Sequence, residues 1–441
     1  MLPGIVYSSV QAMKNYRLSQ AELERMQMKK LRWMLKYCYD YIPLYHERFR
    51  EKGLTPEDIG APKDLGLFPT LSRETLSESS PGRIMPSNAR VASARFTSGT
   101  TGHPIRLFSS PGFQNTTKGL EFRQNWVDGV RPWHKAAVIW TGSDPESTTS
   151  VGVGKRALVL GYNFLFRAAD LRVIAVRQLQ MYVSRRSWKY VASSLCSLKP
   201  DIIYARPSHA RRLGIMLEEE GRRLTPKILL TASEFMSKAI REDLGAFYEA
   251  EVFDVYGSNE LGLLGFECPQ HTGTHLNSDC NVFEVLRDGE EVSPGEAGEI
   301  VITGLHNEAM PLIRYEQGDR VLLAEGGKCD CGSYLPRLRA IQGRQGDGLM
   351  TAEGARIPPG LVCDQLERVL GMRDFQLTQK DHQHMKLRII AKYRTEAVER
   401  EVSDYLKSLL GDDLTLEVEE WTRDEMPAKY RPVVSEIARV N

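Results

Sequence analysis

Cysteine is scarce in this chain, seven residues in 441, and unevenly placed. That is too sparse for a disulfide scaffold, and it points instead to one local metal cluster plus single buried thiols. Excess charge is also missing. The 58 basic side chains face 57 acidic ones, a formal net charge of +1, so no global field recruits nucleic acid or an anionic membrane. The first thirty residues hold Lys14, Arg17, Glu22, Glu24 and Arg25 and no long apolar core, so they read as neither a signal peptide nor a membrane span. Internal repeats and low-complexity tracts are absent too. What remains is the profile of an ordinary cytoplasmic globular protein, monomer or homodimer. With 41% hydrophobic residues over this length, two or three packing units are expected.

Against that plain background one run stands out, Phe96-Thr97-Ser98-Gly99-Thr100-Thr101-Gly102-His103-Pro104. Its hydroxyls and backbone N–H groups suit phosphate oxygens, and its glycines permit close approach and positive φ angles. The Walker pattern is absent, because His103 and Pro104 follow the second glycine. A Ser/Thr/Gly run is equally the composition of a surface turn, so the reading needs partners elsewhere. They follow in order. Tyr256-Gly257-Ser258-Asn259-Glu260 combines an aromatic face for a base, a turn glycine and a carboxylate for a hard cation. Asp319 follows Gly318 and suits ribose hydroxyls, and Gly343-Arg344 and Pro427-Ala428-Lys429-Tyr430-Arg431 come after it.

This ordered set resembles the adenylate-forming superfamily of acyl-CoA ligases, and more closely its phenylacetate-CoA ligase branch. The branch likeness is carried by Leu31-Arg32-Trp33 through Ile42-Pro43-Leu44-Tyr45, by His275-Leu276-Asn277-Ser278-Asp279 and by Cys329-Asp330-Cys331-Gly332. The resemblance implies a two-step reaction. A carboxylate attacks the α-phosphate of ATP to give an acyl-adenylate and pyrophosphate, and the thiol of coenzyme A then attacks the acyl carbon.

In that scheme Thr97, Ser98, Gly99, Thr100, Thr101 and Gly102 hold the outer phosphates, Glu260 ligates magnesium, and Lys429 bridges the carboxylate and the α-phosphate. Tyr256 stacks on the purine, Gly257 and Ser258 belong to the same nucleotide-binding turn, Asn259 donates to an α-phosphate oxygen, Ala232-Ser233-Glu234 runs along the purine edge, Asp319 meets the ribose, and Arg344 approaches ribose or phosphate. Each has a structural alternative: a core aromatic for Tyr256, a turn cap for Asp319, a surface ion pair for Arg344, a solvated charge for Lys429. Three departures from the family pattern stand out. His103 replaces a lysine, Asn259 a threonine, and Gly346 the hinge aspartate, with Asp347 following.

The expected fold is α/β, and its largest part is a parallel sheet. Strand-like runs at 136–140, 172–176, 201–205, 227–231 and 251–255 alternate with amphipathic segments in the later part of this series, and ligands gather beyond the carboxyl ends of such strands. Residues 19–52 read as an amphipathic helix. From 282 to about 340 the pattern becomes hairpins, with runs at 282–286 and 298–303 separated by Pro294-Gly295. Residues 1–343 thus form the adenylate-forming domain with a β subdomain, and 344–441 a small mobile α+β lid. In the lid the pattern predicts helices at 361–370 and 395–410 and strands at 374–378, 385–393 and 414–418.

Cys268, His271, His275, Cys329 and Cys331 form a second constellation. Thiolates with imidazole suit tetrahedral zinc, and four ligands with no open position make a structural site. The expected set is Cys268, His275, Cys329 and Cys331, with His271 in reserve; free cysteines beside surface histidines are the alternative. Cys280 reads as buried, and Cys38, Cys196 and Cys363 as core thiols.

The function expected is an ATP-dependent acid–thiol ligase for an aromatic or other small carboxylic acid, using ATP, magnesium and coenzyme A, with a structural zinc. The rival reading keeps the adenylate and passes the acyl group to an amine, a carrier protein or a sugar. A third is a nucleotide-binding protein without catalysis, motivated by the three departures.

Overall fold

A computed structural model describes residues 2–96, 105–140, 177–182, 188–344, 348–370, 374–390, 394–421 and 431–437. They form two compact units, one built from Met1–Asp128 and Val255–Ile341, the other from Gly129–Asp254 and Gln342–Asn441. The phosphate-loop run 97–104, the strand-like run 172–176, Gly346 and Lys429 lie outside the described residues.

The first unit begins with helices. Leu2–Asn15 lies along Pro111–Val127, and Gly119 makes their close approach fit: a Cβ there would lie 2.6 Å from the backbone of Ser8. The amphipathic run at 19–52 is two helices, Gln20–Tyr41 and Pro43–Glu51, because Ile42 turns extended (φ −122°) ahead of Pro43, which starts the second helix. Their apolar faces, Leu31, Met34, Leu35, Tyr45 and Phe49 among them, enter the main core with Leu264, Ile300 and Ile313.

The sheet of this unit runs, from its edge, Glu290–Glu291, Asn281–Arg287, Ala297–Gly304, Tyr315–Leu323, Arg337–Arg344, Thr274–Leu276, Gly262–Phe266 and Glu251–Ser258. The expected hairpin is there: Val282 faces Thr303 and Val285 faces Ile300 in an antiparallel register. Two buried ion pairs lock long-range contacts. Arg123 reaches Asp279 at 2.9 Å with both side chains fully buried, and its guanidinium also donates to Ala12 O at 3.0 Å. Arg314 bonds both carboxylate oxygens of Glu284 at 3.1 Å. Removing one partner of such a pair leaves an uncompensated buried charge, at a cost of about 3–5 kcal/mol.

In the second unit the strands Arg177–Tyr182, Lys135–Trp140, Ile202–Ala205 and Ile228–Ala232 lie side by side and parallel, Ile203 opposite Leu229. The helices Trp188–Leu198, Pro207–Glu219 and Lys238–Tyr248 alternate with the strands along the chain, and their Leu195, Leu213 and Leu244 share a core with Ala137, Ile203 and Leu229. This is the α/β alternation anticipated from the periodicity. The C-terminal residues of the same unit make their own layer, a sheet in the order Thr415–Glu420, His384–Ile389, Phe375–Gln379, Val433–Ser435. The helices Pro359–Leu370 and Glu396–Leu410 cover it through Val362, Leu366, Val402 and Leu406, and Phe235 packs against the same core. Among the described residues no helix is long and apolar enough to cross a membrane.

Candidate active site

In the first unit, Glu251–Ser258 and Gly262–Phe266 form an antiparallel hairpin whose turn carries Asn259, Glu260 and Leu261. Ser258 Oγ accepts from the Leu261 N–H at 3.1 Å and tightens it. Gly257 is required, since a Cβ would sit 2.9 Å from Gly262 O. The turn leaves Asn259 exposed and buries Glu260, whose carboxylate meets Arg73 Nη1 at 2.8 Å. Arg73 opens the short helix Arg73–Glu78 behind the capping residue Ser72. Nothing local to its sequence signals a partner 187 positions away, and the motif reading missed it.

Tyr256 and Asp319 come together: the buried phenol donates to Asp319 Oδ2 at 2.7 Å. Asp319 lies on Tyr315–Leu323 just after Gly318, which takes φ 76°. The Tyr256 ring belongs to the main core and is anchored by its hydroxyl. A cavity beside Glu260 is lined by Phe113, Thr116, Leu261, His306, Asn307 and Met310. Burial, aided by the Lys30 ammonium 3.0 Å away, pushes the His306 imidazole down to about 4, so it is neutral at physiological pH.

In the second unit, Ala232 ends its strand, Ser233 adopts φ 73°, and Glu234 turns back toward the start of the helix Pro207–Glu219. Glu234 Oε2 accepts from the Ser208 N–H at 3.1 Å, and Arg206 Nη1 stands 3.9 Å from Oε1. Burial raises the Glu234 carboxyl above the ordinary range, opposed by Ser208 and Arg206. A side chain so held closes the carboxyl ends of two parallel strands, where this architecture places ligands. Arg344 ends the strand Arg337–Arg344 and is half-buried.

The metal constellation assembles within the first unit. One ligand atom from each of Cys268, His275, Cys329 and Cys331 lies within 4.8 Å of the others. The Cys268 and Cys329 sulfurs are 3.8 Å apart, and Cys331 Sγ is 3.4 Å from His275 Nε2. His275 Nδ1 stands 3.3 Å from Leu335 O, which leaves Nε2 facing the sulfurs. His271, the reserve residue, stands outside this group, 3.7 Å from Glu267. Contacts with Cys268, His275 and Tyr16 hold the Cys331 thiol below its usual range. Tyr16 donates to Cys331 Sγ at 3.0 Å, a contact spanning 315 positions that no motif announces. The other cysteines pack as expected except Cys196, which is half-exposed.

No protein-family model matches the chain. It is 27% identical over 313 residues to the phenylacetate-coenzyme A ligase of Pseudomonas putida, covering 69% of this chain and 67% of that one. Against the phenylacetate-coenzyme A ligase of Escherichia coli it is 26% identical over 318 residues, covering 69% and 68%. A crystal structure of 2-hydroxyisobutyryl-CoA ligase shares the fold, with a TM-score of 0.75 at 19% identity over 96% of this chain and 91% of that one. In sequence the chain is thus similar to phenylacetate-coenzyme A ligases, and it shares its fold with a CoA ligase solved with an acyl-adenylate.

Proposed function

We propose that the protein is an AMP-forming acyl-CoA ligase for an aromatic or other small carboxylic acid. The observation that carries the reading is the Tyr256–Asp319 hydrogen bond at 2.7 Å, which joins two separate motifs of that family, with Glu260 four residues beyond Tyr256. Asp319 orients toward ribose hydroxyls because Tyr256 holds one of its oxygens. Tyr256, Ala232-Ser233-Glu234 and Arg344 keep the nucleoside-binding roles that the family resemblance implies. The hydroxyls of residues 97–101 grip the outer phosphates, and Lys429 bridges the two reacting anions. Losing one such preorganised donor costs about 3–4 kcal/mol.

Glu260 fits magnesium, which takes one or two protein carboxylates, phosphate oxygens and waters. Once bound, the ion neutralises phosphate charge; Arg73, 2.8 Å from Oε1, supplies a fixed positive charge on the same carboxylate. The soft, clustered donor set of Cys268, His275, Cys329 and Cys331 fits a structural zinc. Residues 344–441 act as the lid that carries Lys429. All seven cysteines are free, which suits a reducing cytoplasm.

Pyrophosphate release measured across a panel of carboxylic acids, with and without coenzyme A, tests the reading. Release with an aromatic or small acid, and sustained turnover only with coenzyme A, is expected. Turnover that ignores coenzyme A, or no release with any acid, overturns it.

A further inference from the structure

We propose that Arg211, Glu367 and Asp374 form a proton-dependent latch that holds the C-terminal layer against the helices of residues 207–248 and loosens as pH rises toward neutrality. The idea that this layer moves during catalysis rests on the ligase reading above; the latch itself rests on the buried contacts.

Arg211, on Pro207–Glu219, is 2% exposed, and its guanidinium lies 3.2 Å from Asp374 and 3.7 Å from Glu367. Glu367 sits on Pro359–Leu370 and also accepts from the hydroxyl of Ser237, the N-cap of Lys238–Tyr248. The buried charges do not balance. Facing Glu367 are Arg211 from one helix, Asp243 from the next and Asp364 from its own helix, and Asp374, just before the following strand, meets the same Arg211. Arg368 takes Asp364 at 3.3 Å, whereas among the described residues Glu367 and Asp374 share Arg211, and Asp374 Oδ2 is buried with no hydrogen-bond partner among them. The least costly relief is a proton on the carboxylate farther from the guanidinium, which is Glu367.

Burial, with Asp364 and Asp243 adding to it and Arg211 and Ser237 opposing, pushes Glu367 up to about 7 from an ordinary 4.5. Undocking returns it to water and to that ordinary value. The docked state therefore holds the proton more tightly: its extra stability is complete below about 4.5 and is lost as pH climbs through 7. Two further contacts define the seam. The Ala239 N–H donates to Asp364 at 3.3 Å, and Phe235 packs on Gly360, where a Cβ would lie 2.9 Å from the ring.

Hydrogen–deuterium exchange of the full chain without substrates, corrected for intrinsic rates, reads the seam at the Ala239 amide and across residues 359–370. In the unsubstituted protein, protection is expected to fall by up to roughly a hundredfold between about pH 5 and pH 7.5. Glu367→Gln keeps the acceptor for Ser237 without the charge and is expected to stay protected throughout. Asp374→Asn removes the charge that shares Arg211 with Glu367, so the transition moves to lower pH. A Glu367→Gln profile that matches the unsubstituted one overturns the latch, as does an Asp374→Asn transition that does not move; the latter decides if the glutamine variant fails to fold. Because no substrate is present, a protein inactive with every acid still reports on the latch.

Discussion

Tyr256 and Asp319 stand 63 positions apart in the chain and 2.7 Å apart in the fold. A hydrogen bond from a buried phenol to a carboxylate contributes about 1.5–3 kcal/mol. If that bond aims Asp319 at a ribose, Tyr256→Phe raises the KM for ATP by on the order of tenfold and leaves the KM for the acid unchanged. Initial rates at varied ATP check this; a variant that only unfolds more easily, with ATP binding intact, makes the tyrosine a core residue. At this scale the motif residues Glu260 and Asp319 were legible because each sits in a short pattern of turn glycine and carboxylate. Arg73 and Tyr16 were not, since each meets its partner only across a long stretch of chain.

Where the helices Leu2–Asn15 and Pro111–Val127 cross, Gly119 meets the backbone of Ser8. Alanine has the higher helix propensity, a gain of about 1 kcal/mol. Its methyl would press on backbone atoms 2.6 Å away, which cannot swing aside as a flexible side chain does. Overpacking of this kind costs about 1–3 kcal/mol, so Gly119→Ala is expected to destabilise the protein in urea titration. A stabilised variant would mean that the helices separate freely. Elements with strong periodicity were readable: the expected helix at 361–370 is Pro359–Leu370, and the expected strand at 414–418 is Thr415–Glu420. Val433–Ser435 was not, because three residues carry no period and the strand exists by pairing in parallel with Phe375–Gln379. The break at Ile42 was readable only in part, since helical spacing of apolar residues continues across Pro43.

For the molecule as a whole, the cluster of Cys268, His275, Cys329 and Cys331 gathers side chains from separate segments and, through Tyr16, meets the end of the N-terminal helix. The purified protein is expected to carry a single zinc ion per chain. Chelation should lower the thermal midpoint and speed tryptic cleavage after the exposed Arg17, next to Tyr16. Fully folded protein without zinc, equally resistant to trypsin before and after chelation, removes the site.

What the sequence alone determined is the chemistry available and its order along the chain: a hydroxyl-rich loop, the Tyr256–Glu260 turn, Asp319, Lys429 and the Cys/His set. Local patterns specify local structure, since turn glycines, helix caps and apolar periods act within a few residues. Only the tertiary structure decided that Arg73 pairs with Glu260, that His275 rather than His271 joins the cysteines, and that Arg211 shares its charge between Glu367 and Asp374. Those contacts arise when packing of the core brings distant segments together, and burial then sets the strength of each charge interaction.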